Sequence, residues 1–169
     1  LLSEGNLEEG WKEFEWRSTL RSFGLFTDKV WYGEDLEGKT ILVWPEQGIG
    51  DQIMFANCLP DIMERAENCI LEVDRRMVSL FRRSFPKALV HGDYEFKGSH
   101  QVLREGFEWL RDYPTVDYFS PIGSLPRFLR PSLDSFPGGG AFLKADPGRA
   151  AYWRQKTAAL GCGRKIAVS

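Results

Sequence analysis

Histidine and cysteine are the scarcest reactive residues in this chain: two histidines, His91 and His100, and three cysteines, Cys58, Cys69 and Cys162, among 169 residues. Three widely separated cysteines make neither a disulfide framework nor a zinc site, and a reducing cytoplasm suits them best. Two histidines are too few for a histidine-based metal cluster and read as ordinary surface or loop residues. No apolar run approaches the ~20 residues of a membrane span, and the opening Leu1-Leu2-Ser3-Glu4 has neither a basic flank nor an apolar signal core. A net charge of -2 argues against sequence-independent DNA or RNA binding, which relies on many phosphate-neutralising cations. An initiator methionine is also missing, so the chain is expected to have been cut from something longer.

What is present is a globular composition, 43% apolar and 27% charged, enough to bury a core. The organising stretch is 40–55, Thr-Ile-Leu-Val-Trp-Pro-Glu-Gln-Gly-Ile-Gly-Asp-Gln-Ile-Met-Phe. Thr40 to Trp44 reads as a buried strand, Pro45 ends it by removing a backbone donor, and a helix starts near Asp51. Gly48 and Gly50 predict a turn in which at least one of them has a positive φ. Ligands of open α/β sheets collect outside the carboxyl ends of strands, which places the chemistry here. An acid at this position would repel a phosphate, but it can act as a base or orient a hydroxyl. Asp51 is therefore a catalytic candidate, with helix N-capping as its structural alternative. Glu46, Gln47, Gly48, Gly50 and Gln52 are candidate contacts for a bound acceptor.

Elsewhere the pattern is strand, helix, strand, helix, strand. A helix over Asp51 to Ala66 is expected to kink at Pro60, and Asn68 to Asp74 is a second strand. Arg75 to Phe85 follows as a helix, with Met77, Val78, Leu80 and Phe81 inward. Its arginines Arg75, Arg76, Arg82 and Arg83 form either a solvated face or an anion site. Ala88 to Val90 is a third strand, residues 101–110 are expected to be helical, and Val116 to Ile122 is a further strand leading to a short helix near Leu125 to Leu129. Ser124 there is an N-cap, or a hydroxyl within reach of a ligand. A Pro/Gly-rich loop over 131–140 precedes a return to extended structure at Ala141 to Leu143. Pro147 then opens a helix carrying Tyr152, Trp153 and Leu160 that Gly161 closes. Lys165 to Ser169 reads as the start of another α/β unit. This alternation predicts an α/β fold with a Rossmann-like parallel sheet covered by helices on both faces.

Residues 1–20, with Gly5-Asn6 between two helical stretches and Gly10, Trp11, Phe14 and Trp16 following, resemble the end of a tetratricopeptide repeat. An amphipathic helix pair without repeat ancestry is the alternative. Solenoids need about three repeats, so one partial repeat must pack on the next domain or be the edge of a larger array. Residues 21–39 form a connector whose aromatics cover the edge of the sheet.

Glu46-Gln47-Gly48-Ile49-Gly50-Asp51, the following apolar helix, Leu59-Pro60, Val-Asp-Tyr-Phe-Ser-Pro-Ile-Gly-Ser-Leu-Pro and the last helix before Lys-Ile-Ala-Val together resemble the N-terminal half of glycosyltransferase family 9. That family includes the ADP-heptose:lipopolysaccharide heptosyltransferases, and the likeness is greatest to members fused behind tetratricopeptide repeats. The resemblance covers roughly 36–169. It implies a GT-B enzyme in which this half, 40–146, takes a sugar, glycan or protein acceptor, and 147–169 leads into a C-terminal domain that binds the nucleotide-sugar. It implies no cofactor in this half and no metal, with Asp51 matching the family's proposed base. Pro60 lies about one helical turn further from the aspartate than in the heptosyltransferases proper, so their acceptor does not carry over.

A positioned carboxylate that takes a hydroxyl proton contributes roughly 100- to 10,000-fold. By itself this half is expected to fold, to be inactive, and to bind no nucleotide-sugar. A protein-binding scaffold with a degenerate, inactive transferase domain is the rival reading. A mononucleotide site at Gly48 to Asp51 is disfavoured, because neither a P-loop Lys-Ser/Thr nor a complete Gly-x-Gly-x-x-Gly is present.

Overall fold

The structure, a computed structural model, describes residues 1–17, 28–97, 100–103, 108–138, 140–161 and 163. Its framework is a five-stranded sheet built from β1 (Thr40–Trp44), β2 (Asn68–Asp74), β3 (Leu89–Lys97), β4 (His100–Leu103) and β5 (Tyr118–Pro121), in the order β4-β3-β2-β1-β5. β1, β2, β3 and β5 run parallel, and β4 closes one edge as an antiparallel strand. The expected α/β, Rossmann-like arrangement is therefore present. β1 lies inside with every residue buried, as a continuous β-branched and aromatic run requires when both faces are covered.

The helices are α1 (Leu7–Phe14), α2 (Ile49–Phe55), α3 (Leu59–Arg65), α4 (Val78–Ser84), α5 (Leu125–Leu129) and α6 (Pro147–Ala158). Alternation along the strands divides the core between the two faces of the sheet. Ile41, Val43, Cys69, Leu71, Val73 and Val90 pack against the helical layer through Phe55, Leu59, Ile62, Phe81 and Leu125. On the other face Leu42, Trp44, Ile70 and Phe119 are covered by Trp109, Val116 and Tyr113, which lie on and beside a single-turn helix at Glu108–Asp112.

Several local expectations need correction. The helix after β1 is broken rather than kinked: a 3-10 turn, Ala56–Cys58, separates α2 from α3, and Pro60 sits in the first turn of α3. A proline ring clashes with the carbonyl four residues back, so it is tolerated at a helix start and breaks a helix interior. Arg130 fastens this break, its guanidinium donating to the Asn57 carbonyl (2.7 Å) and to Asp61 (2.7 Å). The third strand is much longer than Ala88 to Val90, and a strand, His100–Leu103, pairs antiparallel with Tyr94–Lys97 where a helix was expected over 101–110. A segment this short fits either period, and the hairpin partner decides it. Residues 104–107 lie outside the described residues. The helix expected from Arg75 starts as a 3-10 turn, Arg75–Met77, whose N-cap is Asp74. Ala141 to Leu143 forms no strand, and Phe142 and Leu143 pack against the main core instead. α6 is capped as expected, Asp146 accepting from the Arg149 amide at 2.8 Å and Gly161 following at φ 88°. The strand expected over Lys165 to Ser169 lies outside the described residues.

The N-terminal segment is docked on the sheet domain. Gly5, at φ 81°, turns a short 3-10 helix, Leu2–Glu4, into α1. Gly10 allows close packing at their contact, because a Cβ there would fall 2.5 Å from a Leu2 methyl. Trp11 packs edge-on and Phe14 packs tilted against Phe55 of α2, and Trp11 Nε1 donates to the Arg130 carbonyl at 2.9 Å. In the connector, Val30 forms a parallel bridge with Phe119 of β5, and buried Trp31 seals that edge. Residues 18–27 lie outside the described residues.

Candidate functional site

β1 has β2 on one side and β5 on the other, so the chain reverses its direction of travel across the sheet at β1. Crevices at such reversals, outside the carboxyl ends of the strands, are where doubly wound sheets take ligands. Two segments leave the sheet there: Pro45 to Gly48, running from β1 into α2, and the 3-10 turn Ile122–Ser124, running from β5 into α5.

Glu46 and Ser124 meet in this crevice, but through a residue that sequence reasoning passed over. The guanidinium of Arg17, just beyond α1, donates from Nε to Glu46 Oε1 (2.9 Å) and from Nη2 to Glu46 Oε2 (2.9 Å). Nη2 also donates to Ser124 Oγ at 2.7 Å, and that hydroxyl donates to Glu15 Oε2 at 3.1 Å. Nη1 donates to Glu15 and to the Phe14 carbonyl. The Gly123 amide completes the cradle, donating to Glu46 Oε2 at 2.8 Å. A Cβ on Gly123 would sit 2.6 Å from that oxygen, so glycine is needed for close approach. Burial opposes the charge of Arg17, but its bonds to Glu46 and Glu15 outweigh this and hold its pKa above the ordinary value. Ser124 caps no helix amide with its side chain. As the chain stands, Glu46 and Ser124 are engaged by the protein itself. The only sequence signal for Arg17 was a cation directly after an aromatic helix.

The turn into α2 is plainer than the glycines suggested. Gly48 is the N-cap with φ -73° and ψ -179°, Gly50 lies inside the helix, and neither has a positive φ. The expectation of a left-handed glycine is thus wrong, because helix entry through an extended N-cap needs no such residue. Asp51 is not the cap either. It occupies the first turn of α2, half-buried, where its charge favours the helix dipole, and no described residue bonds its carboxylate. Gln47 and Gly50 are exposed beside it. Gln52 points the other way: it is buried, its Oε1 accepting from the Asp74 amide at the end of β2 (2.9 Å) while its Nε2 finds no partner among the described residues. Asp74 in turn is held below the usual carboxylate range, chiefly by the hydrogen bond from the Arg76 side chain.

The four arginines of the Arg75 to Phe85 segment do not share one role. Arg76 pairs with Asp74, Arg82 donates to the Val90 carbonyl and Arg83 to the Lys144 carbonyl. The description of His91 as a surface or loop residue is also wrong, since it lies in β3 with Nδ1 2.5 Å from buried Glu72. A carboxylate in the middle of an otherwise apolar buried strand was the available signal. His100 lies in β4. Cys58 and Cys69 are buried free thiols, each pushed up to about 12 by burial. Among the described residues no group of three or more His, Cys, Asp or Glu could hold a metal ion, and no helix is long and apolar enough to cross a membrane.

Comparison with known proteins finds one informative similarity. The chain is 36% identical over 175 aligned positions to a protein named "Protein FlbA" from Caulobacter vibrioides (strain ATCC 19089 / CIP 103742 / CB 15). The aligned region takes in 99% of this chain and 29% of that protein. The chain therefore spans less than a third of the length of the curated relative it matches. No protein-family model matches the chain, and no solved structure matches it.

Proposed function

We propose that this chain is the acceptor-binding half of a nucleotide-sugar-dependent, metal-independent inverting glycosyltransferase of the GT-B type, in which Asp51 takes the proton of the attacking hydroxyl. The observation that carries this reading is a half-buried carboxylate that no described residue bonds, in the first turn of the helix leaving the central strand, beside the sheet's reversal point. A carboxylate already paired with a cation would be a weaker base and a less available one. Asp51 is instead open to a substrate, and Gln47, Gly48 and Gly50 leave room for an acceptor to approach the main chain.

In this reading the acceptor oxygen forms the bond to the anomeric carbon as Asp51 receives its proton. The bond from that carbon to the diphosphate breaks with its electron pair going to the leaving group. The nucleotide-sugar is assigned to a C-terminal domain outside this chain, and 147–169 to the passage towards it. The likeness of 1–17 to the end of a tetratricopeptide repeat supports a further role for upstream repeats in holding a protein partner or acceptor. Glu46 and Ser124 serve as positioning residues, since they tie the N-terminal segment to the two turns that form the site.

One observation favours the rival reading of a binding scaffold with an inactive transferase domain: Arg17 fills the reversal-point crevice. Replacement of Asp51 separates the two. In the full-length protein, Asp51→Asn is expected to lower sugar transfer at least a hundredfold. Stability should change by no more than about 1 kcal/mol, the scale of the lost helix-dipole interaction. Unchanged turnover in the variant would remove Asp51 from the chemistry, and no transfer by the unmodified protein would favour the scaffold.

A further inference from the structure

A second constellation lies at the same end of the sheet, on the face away from the helical layer. Glu72 of β2 and His91 of β3 are register partners. Because Val43 pairs with Leu71, Glu72 lies level with Trp44, the last residue of β1. The Glu72 carboxylate is fully buried, accepting from the Asp93 amide at 2.7 Å and lying 2.5 Å from His91 Nδ1.

The imidazole is fixed on three sides. One ring face lies on Trp109, 3.9 Å between centroids and 6° from parallel, and Tyr113 meets it edge-on at 6.3 Å. Nδ1 is taken by Glu72, so a proton on that nitrogen is held there by the carboxylate. In the neutral ring this leaves Nε2 as the lone-pair nitrogen. Nε2 has no hydrogen-bond partner among the described residues, and the His91 side chain is 23% exposed. A ring locked by a carboxylate and an aromatic wall, with no described residue bonded to its second nitrogen, is how proteins prepare an imidazole to receive a hydrogen bond in one direction.

We propose that His91 is an acceptor-contacting residue: its Nε2 receives a hydrogen bond from a hydroxyl of the acceptor other than the one that reacts, and Glu72 is its positioning residue. The proposal rests on the reading of this end of the sheet as the acceptor side of a sugar transferase. The ligand class it implies is a polyhydroxylated acceptor, a glycan that passes round the carboxyl edge of the sheet from the Asp51 turn to His91 on the opposite face. A lone serine or threonine hydroxyl could not satisfy both.

The test begins with the chain labelled with 15N-histidine in mildly alkaline buffer, where the ring-nitrogen shifts read the proton on each nitrogen directly. His91→Gln identifies the signals. The expected tautomer is the one protonated at Nδ1, and Glu72→Ala is expected to shift the population towards protonation at Nε2. Titration with a panel of methyl glycosides should then move the Nε2 signal of His91 saturably, and should not do so in Glu72→Ala. In the full-length enzyme, His91→Gln should raise the acceptor KM roughly tenfold, the weight of one hydrogen bond, with kcat within about twofold. A ring protonated at Nε2 in the unmodified chain overturns the proposal at once. A ring protonated at Nδ1 that answers to no glycoside, with KM unmoved in His91→Gln, reduces the pair to a contact between strands and overturns it equally. If the full-length protein transfers no sugar, the transferase reading fails and the glycoside titration alone decides the role of His91.

Discussion

The contact that joins the N-terminal segment to the sheet can be broken at one atom. Replacing Glu46 by Gln keeps the shape of the side chain but removes its charge and turns an amide NH2 towards Arg17 or the Gly123 amide, donor against donor. Glu46 is 4% exposed and the Arg17 side chain 13%, so solvent is poorly placed to repair the loss. Removing one partner of a buried ion pair costs about 3–5 kcal/mol. Arg17 retains Glu15, Ser124 and the Phe14 carbonyl, which points to the lower end, about 3 kcal/mol. For a domain of this size that corresponds to a fall in Tm of roughly 6–12 °C. Equilibrium urea unfolding followed by tryptophan fluorescence measures the loss directly, and a double-mutant cycle with Arg17→Met isolates the pair. A coupling energy of at least about 1.5 kcal/mol is expected for residues in one hydrogen-bonded network. A Glu46→Gln variant within about 0.5 kcal/mol of the parent, the range of ordinary surface substitutions, would refute the claim that Arg17 and Glu46 hold the two parts together.

The glycines should respond in opposite directions, with unfolding midpoints as the measure. Gly123→Ala places a methyl 2.6 Å from Glu46 Oε2 and should cost about 1–3 kcal/mol, whereas Gly50→Ala meets nothing within 4 Å inside a helix and should stabilise by up to roughly 1 kcal/mol. Asp74 has a folded pKa below its unfolded value, so its contribution is present above about pH 4 and is lost as pH falls through the folded pKa. The stability gap between the parent and Asp74→Asn should therefore narrow in acid; a gap that does not vary with pH would contradict the Arg76 pairing. Cys58 and Cys69, with thiols pushed up to about 12, should resist iodoacetamide in the folded chain and react once it is unfolded, as site-resolved mass spectrometry would show.

Local sequence determined what local energetics can determine. The run Thr40 to Trp44 admits little but a buried strand, and Asn68 to Asp74 and Leu125 to Leu129 lie where apolar period and flanking signals place them. Asp146-Pro147 and Gly161 mark the two ends of the last helix through cap chemistry that needs no distant partner. Asp51 was legible as a carboxylate at the mouth of a helix for the same reason. Whatever depends on a partner far along the chain was decided by tertiary structure. The segment His100–Leu103 is a strand because Tyr94–Lys97 offers it a ladder, and four residues of which only Val102 and Leu103 are apolar have no period of their own strong enough to say so. Glu46 and Ser124 looked like free polar groups near a ligand, yet Arg17 reaches them from 29 and 107 residues away and takes both. Glu72 and His91, 19 residues apart, become a dyad only when β2 and β3 align in parallel register. Sequence spacing reports neighbours on one helix or strand, but a buried charge selects its partner by position in space, and that position exists only once the sheet has formed.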